Sequence, residues 1–306
     1  MLPHENQCVT VSTKVHIILA VTRLETKTRT KILQLLCEGT SMRAVSRIAD
    51  VSINTVSKLL VDAGRACAAF HDDRVKNLKA KRAQYDEIWS FTYAKQKNVP
   101  GAKKAPDGAG DTWTWTALDA DSKLIASWLV GGRSAEYARI FMEDVAQRLA
   151  TRVQLTTDGL KSYLEAVENA FGADVDYAQL VKLYGESAEK GPERKYSPSL
   201  CIGCKTFYVS QPNQEHVSTS HVERQDLAMR MHMRRFTRLT NGFSKKFENH
   251  VHMVALYTVF YNFVKIHKAL RVTPAMEAGL ADTPMTFEGI VRLIDAAAPK
   301  PGPRGL

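Results

Sequence analysis

The feature that most restricts this fold is a change of hydrophobic period along the chain. Residues 112–118 alternate Trp and Thr, the two-residue period of a half-buried strand. Asp119-Ala120-Asp121-Ser122 supplies turn residues, and residues 123–130 read as the returning strand of a hairpin. Residues 84–91 form a further strand, joined to the hairpin by the polar, Gly- and Pro-containing segment 95–111. After the hairpin the period lengthens. A helix over 134–150 sets Ala138, Phe141, Val145 and Leu149 on one face. A β-rich run, 153–157, ends at Asp158-Gly159. A second helix over 160–171 aligns Leu160, Leu164, Val167 and Phe171, and 175–183 is a further strand. Strands joined by tight turns pair antiparallel, whereas strands separated by helices cross over to pair parallel. One mixed sheet satisfies both.

The rest of the chain completes the order. Residues 186–214 are polar, contain Pro192, Pro198 and Pro212, and read as an inserted loop. Residues 221–238 and 248–267 are helical. The order β-β-β-α-β-α-β-α is that of the RNase H-like fold, an α/β mixed sheet with flanking helices.

A small all-α unit precedes this sheet. Residues 30–38 form a short amphipathic run ended by Gly39. Ser41 caps a second helix over 42–49, Asp50-Val51-Ser52 turns, and a third helix starts near Ile53 and stops at Gly64. Leu33, Leu36, Ala44, Val45, Ile48, Val51, Val56 and Leu59 can close one small core. This is the layout of a helix-turn-helix, and residues 44–60 resemble that family. Its third helix would present Ser52, Asn54, Thr55 and Lys58 to DNA, with Asn54 and Thr55 able to contact base edges and Lys58 phosphate. The competing reading is a packed three-helix bundle without a ligand. Charge favours DNA: the chain carries a formal net charge of +10, and residues 23–82 hold thirteen Lys or Arg against six Asp or Glu. The expected organisation is an N-terminal segment (1–27), the helix-turn-helix (28–64), a basic linker or phosphate-contacting arm (65–83), the catalytic domain (84–280) and a C-terminal tail (281–306).

Other function classes recede. Five cysteines, an odd number in a chain of 306 residues, argue against a disulfide scaffold and fit a reducing cytosol. No apolar run reaches the roughly 18 residues of a membrane span. The apolar patch 15–21 lacks a signal-peptide cleavage pattern.

Three acids sit at telling places: Asp86 in the first strand, Asp158 at the end of the fourth, and Glu223 at the start of the helix after the fifth. In the expected fold, strands one and four are neighbours, so the two aspartates meet and Glu223 approaches from the helix. Three adjacent carboxylates repel unless cations neutralise them, and an all-oxygen ligand set suits Mg²⁺ or Mn²⁺. Two such ions can bracket a phosphodiester, serving hydrolysis and transesterification alike.

The motifs carry a resemblance. Asp86-Glu87-Ile88-Trp89-Ser90-Phe91, then Thr157-Asp158-Gly159-Leu160-Lys161-Ser162-Tyr163, then Thr219-Ser220-His221-Val222-Glu223-Arg224-Gln225-Asp226 resemble the signature of DDE transposases of the bacterial insertion-sequence-one type. Tyr261-Asn262-Phe263-Val264, His267-Lys268-Ala269-Leu270-Arg271 and Thr273-Pro274-Ala275 are similar to the C-terminal run of insertion-sequence transposases and integrases. The resemblance implies catalytic, metal-binding Asp86, Asp158 and Glu223, two Mg²⁺ or Mn²⁺ ions, and double-stranded DNA partners: the element's terminal inverted repeats and the target. It also implies a homo-oligomer during synapsis and a place in the bacterial cytoplasm at the nucleoid. The alternatives are an inert DNA-binding derivative, and an RNase H-like nuclease without strand transfer. Where the family has Asn, this chain has Asp226, which is expected to add a negative charge beside Glu223.

The neighbours of the triad have plainer readings as well. On one continuous helix, Glu223, Arg230 and Arg234 fall near one stripe. That suits metal and then phosphate, or simply a solvated face. Trp113, Trp115 and Trp128 are expected in the core, and Asp119 and Asp121 in a turn. Cys201 and Cys204, followed by His216 and His221, have spacing near that of a zinc finger. Alternatively, His221 touches the active site.

Overall fold

The structure is a computed structural model and describes residues 24–185, 201–237 and 241–298. Three helices come first: α1 (Thr26–Cys37), α2 (Met42–Ala49) and α3 (Ile53–Arg74). Local chemistry sets their starts. Ser41 Oγ accepts from Ala44 N at 3.2 Å and Ser52 Oγ from Thr55 N at 3.1 Å, each satisfying an amide the helix leaves unpaired. Between them Asp50 takes a left-handed φ of 51°.

Two expectations change here. Helix α3 does not stop at Gly64 but continues to Arg74. Gly64 lies at a helix crossing, where a Cβ would sit 2.4 Å from His252 Cβ. The glycine permits close approach rather than ending the helix. The three-helix core is also not a separate one. Leu33, Leu36, Val45, Val56 and Leu59 are buried in a hydrophobic cluster continuous with that of the sheet, whereas Ile48 is exposed.

The sheet comprises β1 (Arg82–Thr92), β2 (Gly110–Asp119), β3 (Ile125–Gly131), β4 (Val153–Thr157), β5 (Val175–Tyr184) and β6 (Cys201–Val209). Their spatial order is β3-β2-β1-β4-β5-β6. The β1–β2, β2–β3 and β5–β6 pairs are antiparallel, and β1–β4 and β4–β5 are parallel. A mixed six-stranded sheet with flanking helices fits the RNase H-like α/β fold.

Helices α4 (Ala135–Arg148) and α5 (Ser162–Phe171) cover one face. Tyr85 meets Phe141 edge-on at 5.7 Å, and Trp115 meets Tyr163 at 5.6 Å. Trp115 is fully buried, as expected of a core residue. Helices α6 (Ser220–His232) and α7 (Phe247–Val259) cover the other face. Thr116 Oγ1 lies 3.8 Å from Met229 Sδ, and Ser90 Oγ 3.5 Å from His250 Nε2. Helix α3 packs along α7, and its far end is fixed to the sheet by His71 Nε2 at 3.2 Å from the Ile125 carbonyl. After the short α8 (Pro274–Glu277), α9 (Phe287–Ala297) packs on α1 and α3, with Arg29 Nη1 2.5 Å from Asp295 Oδ1. Among the described residues, no helix is long and apolar enough to cross a membrane.

Three further boundaries differ from expectation. Part of the inserted loop, 201–209, is strand β6, whose β-branched and aromatic residues satisfy the open edge of β5; residues 186–200 lie outside the described ones. The helix carrying Glu223 ends at His232, because Met233 turns to an extended conformation (φ −120°) and buries itself beside Phe236. Arg234 therefore stands on a separate 3₁₀ turn, off the Glu223 stripe. Helix α7 gives way to a π turn over Phe260–Val264, which aims Asn262 at the Ile125 backbone: Oδ1 accepts at 2.9 Å and Nδ2 donates at 2.8 Å.

Candidate functional site

The parallel β1–β4 pair places the first two acids. Tyr85 is registered with Thr157, so the next residue on each strand is an aspartate. Asp86 continues β1, and Asp158 leaves the end of β4. The carboxyl ends of parallel strands are where ligands of open α/β sheets bind. Oxygen atoms of Asp86, Asp158 and Glu87 lie within 4.8 Å of one another, a group that could hold a metal ion.

Each acid is fixed locally. Asp86 Oδ1 accepts from Glu87 N at 2.8 Å. Asp158 Oδ1 accepts from Leu160 N at 3.0 Å, and Gln179 Nε2 donates to the Leu160 carbonyl at 2.9 Å. Glu223, in the first turn of α6, lines the same cleft of about 720 Å³ as Asp86 and Asp158. It is not part of their close group. Its Oε1 accepts from Thr219 Oγ1 at 2.5 Å and pairs with Lys182 of β5. One side chain ties α6 to β1: Gln84 Oε1 accepts from His221 N at 2.8 Å and from Val222 N at 3.1 Å. Two amides orphaned at the helix start are thereby satisfied from a residue two positions before Asp86.

Burial, reinforced by Asp158 and Glu87, pushes the Asp86 carboxyl up to about 7. Crowded, desolvated carboxylates disfavour their charged forms unless a cation joins them. The donors are all oxygen, so the residues present fit a hard divalent cation such as Mg²⁺ or Mn²⁺.

Sequence reasoning missed Glu87 and Arg133. Glu87 points to the face opposite Asp86, and its side chain is wholly buried. Arg133 Nε donates to Glu87 Oε1 at 2.6 Å, Arg133 Nη2 lies 2.5 Å from the same oxygen, and Tyr163 Oη donates to Oε2 at 2.8 Å. Both oxygens of Glu87 are occupied, so Asp86 and Asp158 are the better ligands of the group. The signal available in the sequence was a glutamate at an inward position of a core strand.

Asp226 is buried on α6, and that burial, with Asp86 adding to it, holds its carboxyl well above the usual carboxylate range. The nearby Arg230 opposes this shift.

The remaining candidates divide. Ser52, Asn54 and Lys58 are exposed at the start of α3 and Thr55 is half-buried. Ser52 and Thr55 also bond each other at 2.8 Å in the cap, and Lys58 pairs with Asp62 at 2.7 Å. The α1–α2 turn abuts the end of α6, where His232 Nδ1 donates to the Cys37 carbonyl at 2.9 Å. Arg230 is half-buried and Arg234 exposed. Asp119 stays in the β2–β3 turn, accepting from Asp121 N at 3.1 Å and Ser122 Oγ at 2.5 Å.

Cys201 and Cys204 are exposed on β6, where a bulge puts them opposite Tyr184 and Lys182 and so on one face. His221 instead lies 3.2 Å from Lys123 Nζ, and His216 sits on a 3₁₀ turn. Among the described residues these four form no metal-ligand group.

No protein-family model matches the sequence, and no curated protein matches it. Among solved structures, the chain is similar to the Mos1 strand transfer complex at 14% identity, covering 51% of this chain and 58% of that one, with a TM-score of 0.23. It is similar to the Mos1 transposase paired-end complex with left transposon end at 12% identity, covering 48% and 57%, with a TM-score of 0.20. A piggyBac transposase synaptic complex with hairpin DNA aligns over 88% of this chain and 69% of that one, at 9% identity and a TM-score of 0.37. The chain thus spans somewhat under three-fifths of the two Mos1 chains, 58% and 57%.

Proposed function

We propose that this chain is a DNA transposase of the DDE type, a nuclease and strand transferase that cuts the ends of a bacterial insertion sequence and joins them to target DNA. One observation carries the reading. Oxygen atoms of Asp86 and Asp158 lie within 4.8 Å of one another, in a cleft that Glu223 also lines. Asp86, Asp158 and Glu223 would hold two Mg²⁺ or Mn²⁺ ions. When bound, such ions activate the attacking oxygen and stabilise the leaving 3′-oxygen.

The chain's own residues do the rest. Lys182 keeps Glu223 at the cleft wall until it is needed. The cations that line the cleft, Arg133, Lys161 and Lys182, draw in a polyanion. Helices α1 to α3 serve as the helix-turn-helix of residues 28–64. Asn54 is its most available base-reading side chain, with Ser52, Thr55 and Lys58 beside it. Arg230 and Arg234 extend the contact to phosphate. Synapsis of two element ends calls for a homo-oligomer.

The test is strand nicking and joining by the purified chain on duplexes copied from both flanks of its gene, with Mg²⁺ or Mn²⁺. Wild type should nick and join them. Asp158→Asn should bind but do neither, and a chelator should stop the wild type. Binding without nicking, unchanged by Asp158→Asn, would sink the enzyme reading.

A further inference from the structure

We infer that Arg133 is a prebuilt phosphate-oxygen subsite on the wall of the cleft beside Asp158, and that Glu87 serves to hold it. The inference rests on the transposase reading above.

Three contacts fix the arginine, and a fourth fixes its partner Glu87. Its Nε and Nη2 both meet Glu87 Oε1, at 2.6 and 2.5 Å. Its guanidinium carbon stands 4.5 Å from the centre of the Trp113 ring, so the cation also stacks. Tyr163 Oη occupies the other oxygen of Glu87 at 2.8 Å, which stops that carboxylate from rotating away. The backbone leading to Arg133 is pinned as well. Trp115 Nε1 donates to the Gly132 carbonyl at 3.0 Å, and a Cβ on Gly131 would sit 2.0 Å from Tyr137. An arginine held by so many partners has surrendered its side-chain entropy before any ligand arrives.

What is held is only part of the guanidinium. Nη1 makes no hydrogen bond or ion pair among the described residues, and the side chain is 37% exposed. Nη2 lies 3.8 Å from Asp158 Oδ2, outside hydrogen-bond range. The unspent edge therefore faces the cleft beside Asp158. A group there must be anionic, must accept hydrogen bonds in the guanidinium plane, and must sit next to the carboxylate pair. A non-bridging oxygen of a DNA phosphate lying beside Asp158 meets all three conditions. Trp113 then acts as the stacking floor of this subsite and is not available to a base.

The experiment uses the full chain and a duplex copied from the gene's flank, on which the wild-type nick has been mapped. A second duplex carries a neutral methylphosphonate at the nicked phosphate. Dissociation constants are measured by fluorescence anisotropy in Ca²⁺. Wild type should bind the methylphosphonate duplex about 10- to 100-fold more weakly, the range of a lost charge-assisted hydrogen bond. Arg133→Ala alone would strand a buried carboxylate, so the variant is Glu87→Gln with Arg133→Ala. Its preference for the charged phosphate should shrink by the same factor. An unchanged preference, with weakening only from lost stability, would overturn the subsite. If that variant does not fold, Arg133→Lys gives the same comparison: an intermediate preference supports the subsite and an unchanged one refutes it. A wild type that nicks no flank duplex in the mapping step overturns the transposase reading, and the subsite with it.

Discussion

Replacing Gly64 with alanine sets two opposite expectations against each other. In an exposed helix, Gly→Ala stabilises by about 1 kcal/mol through propensity alone. In α3 the new Cβ would lie 2.4 Å from His252 Cβ and 2.5 Å from His252 Cα. Carbon atoms rest about 3.5–4.0 Å apart, so α3 and α7 must separate locally by more than about 1 Å. One of the obstructing atoms is backbone, and no rotamer change clears it. Overpacking of this kind costs about 1–3 kcal/mol. Set against the propensity gain, the net effect should be destabilising by up to about 2 kcal/mol. Urea unfolding followed by circular dichroism reads it as a lower midpoint at unchanged slope. Adding His252→Gly removes two of the three close atoms, Cβ and the Cγ at 2.8 Å, and should restore part of the loss. His252→Ala removes only Cγ and should restore less. A midpoint that rises with Gly64→Ala would refute the close crossing and return Gly64 to an ordinary exposed helix position.

Asp226→Asn tests the upward shift of the buried Asp226 carboxyl. A carboxyl whose folded-state pKa is raised contributes fully below its unfolded value, about 4, and loses that contribution as pH rises toward the folded value. Since Asp226 is raised by burial, wild-type stability should fall more steeply between pH 5 and pH 8 than that of Asp226→Asn. Identical pH slopes in urea midpoint would contradict it. Lys182→Met frees Glu223 from its ion pair. Both partners are partly exposed, so the pair is worth about 0.2–1 kcal/mol, and Mn²⁺ affinity by calorimetry should rise by no more than about fivefold. Weaker Mn²⁺ binding would mean that Lys182 orients Glu223 rather than competing for it.

Elements governed by local chemistry were legible in the sequence. Ser41 caps α2 and the helix runs over Met42–Ala49 as read; β4 runs over Val153–Thr157 as read. The alternating Trp and Thr residues became β2 with Trp115 inside. What was not legible depends on partners far along the chain. Gly64 resembled a stop because nothing near it announces His252. Residues 201–209 resembled a loop because their strand exists only against β5. The break at Met233 follows from a hydrophobic pocket, not from a proline or glycine. In the site, the adjacency of Asp86 and Asp158 followed from strand order. The occupation of Glu87 by Arg133 and Tyr163 did not, since 46 and 76 residues separate those partners from it.

The tie from Gln84 to the start of α6 bears on timing. With both amides held by a residue of β1, the first turn of α6 cannot slide along the sheet without breaking two hydrogen bonds at once. Bringing the Glu223 carboxylate from Lys182 toward Asp86 is then a change of side-chain rotamer on a fixed backbone. Rotamer changes of exposed side chains take picoseconds to nanoseconds, whereas helix shifts take microseconds or longer. A carboxylate set that Glu223 completes around a cation would therefore form without waiting on any backbone motion.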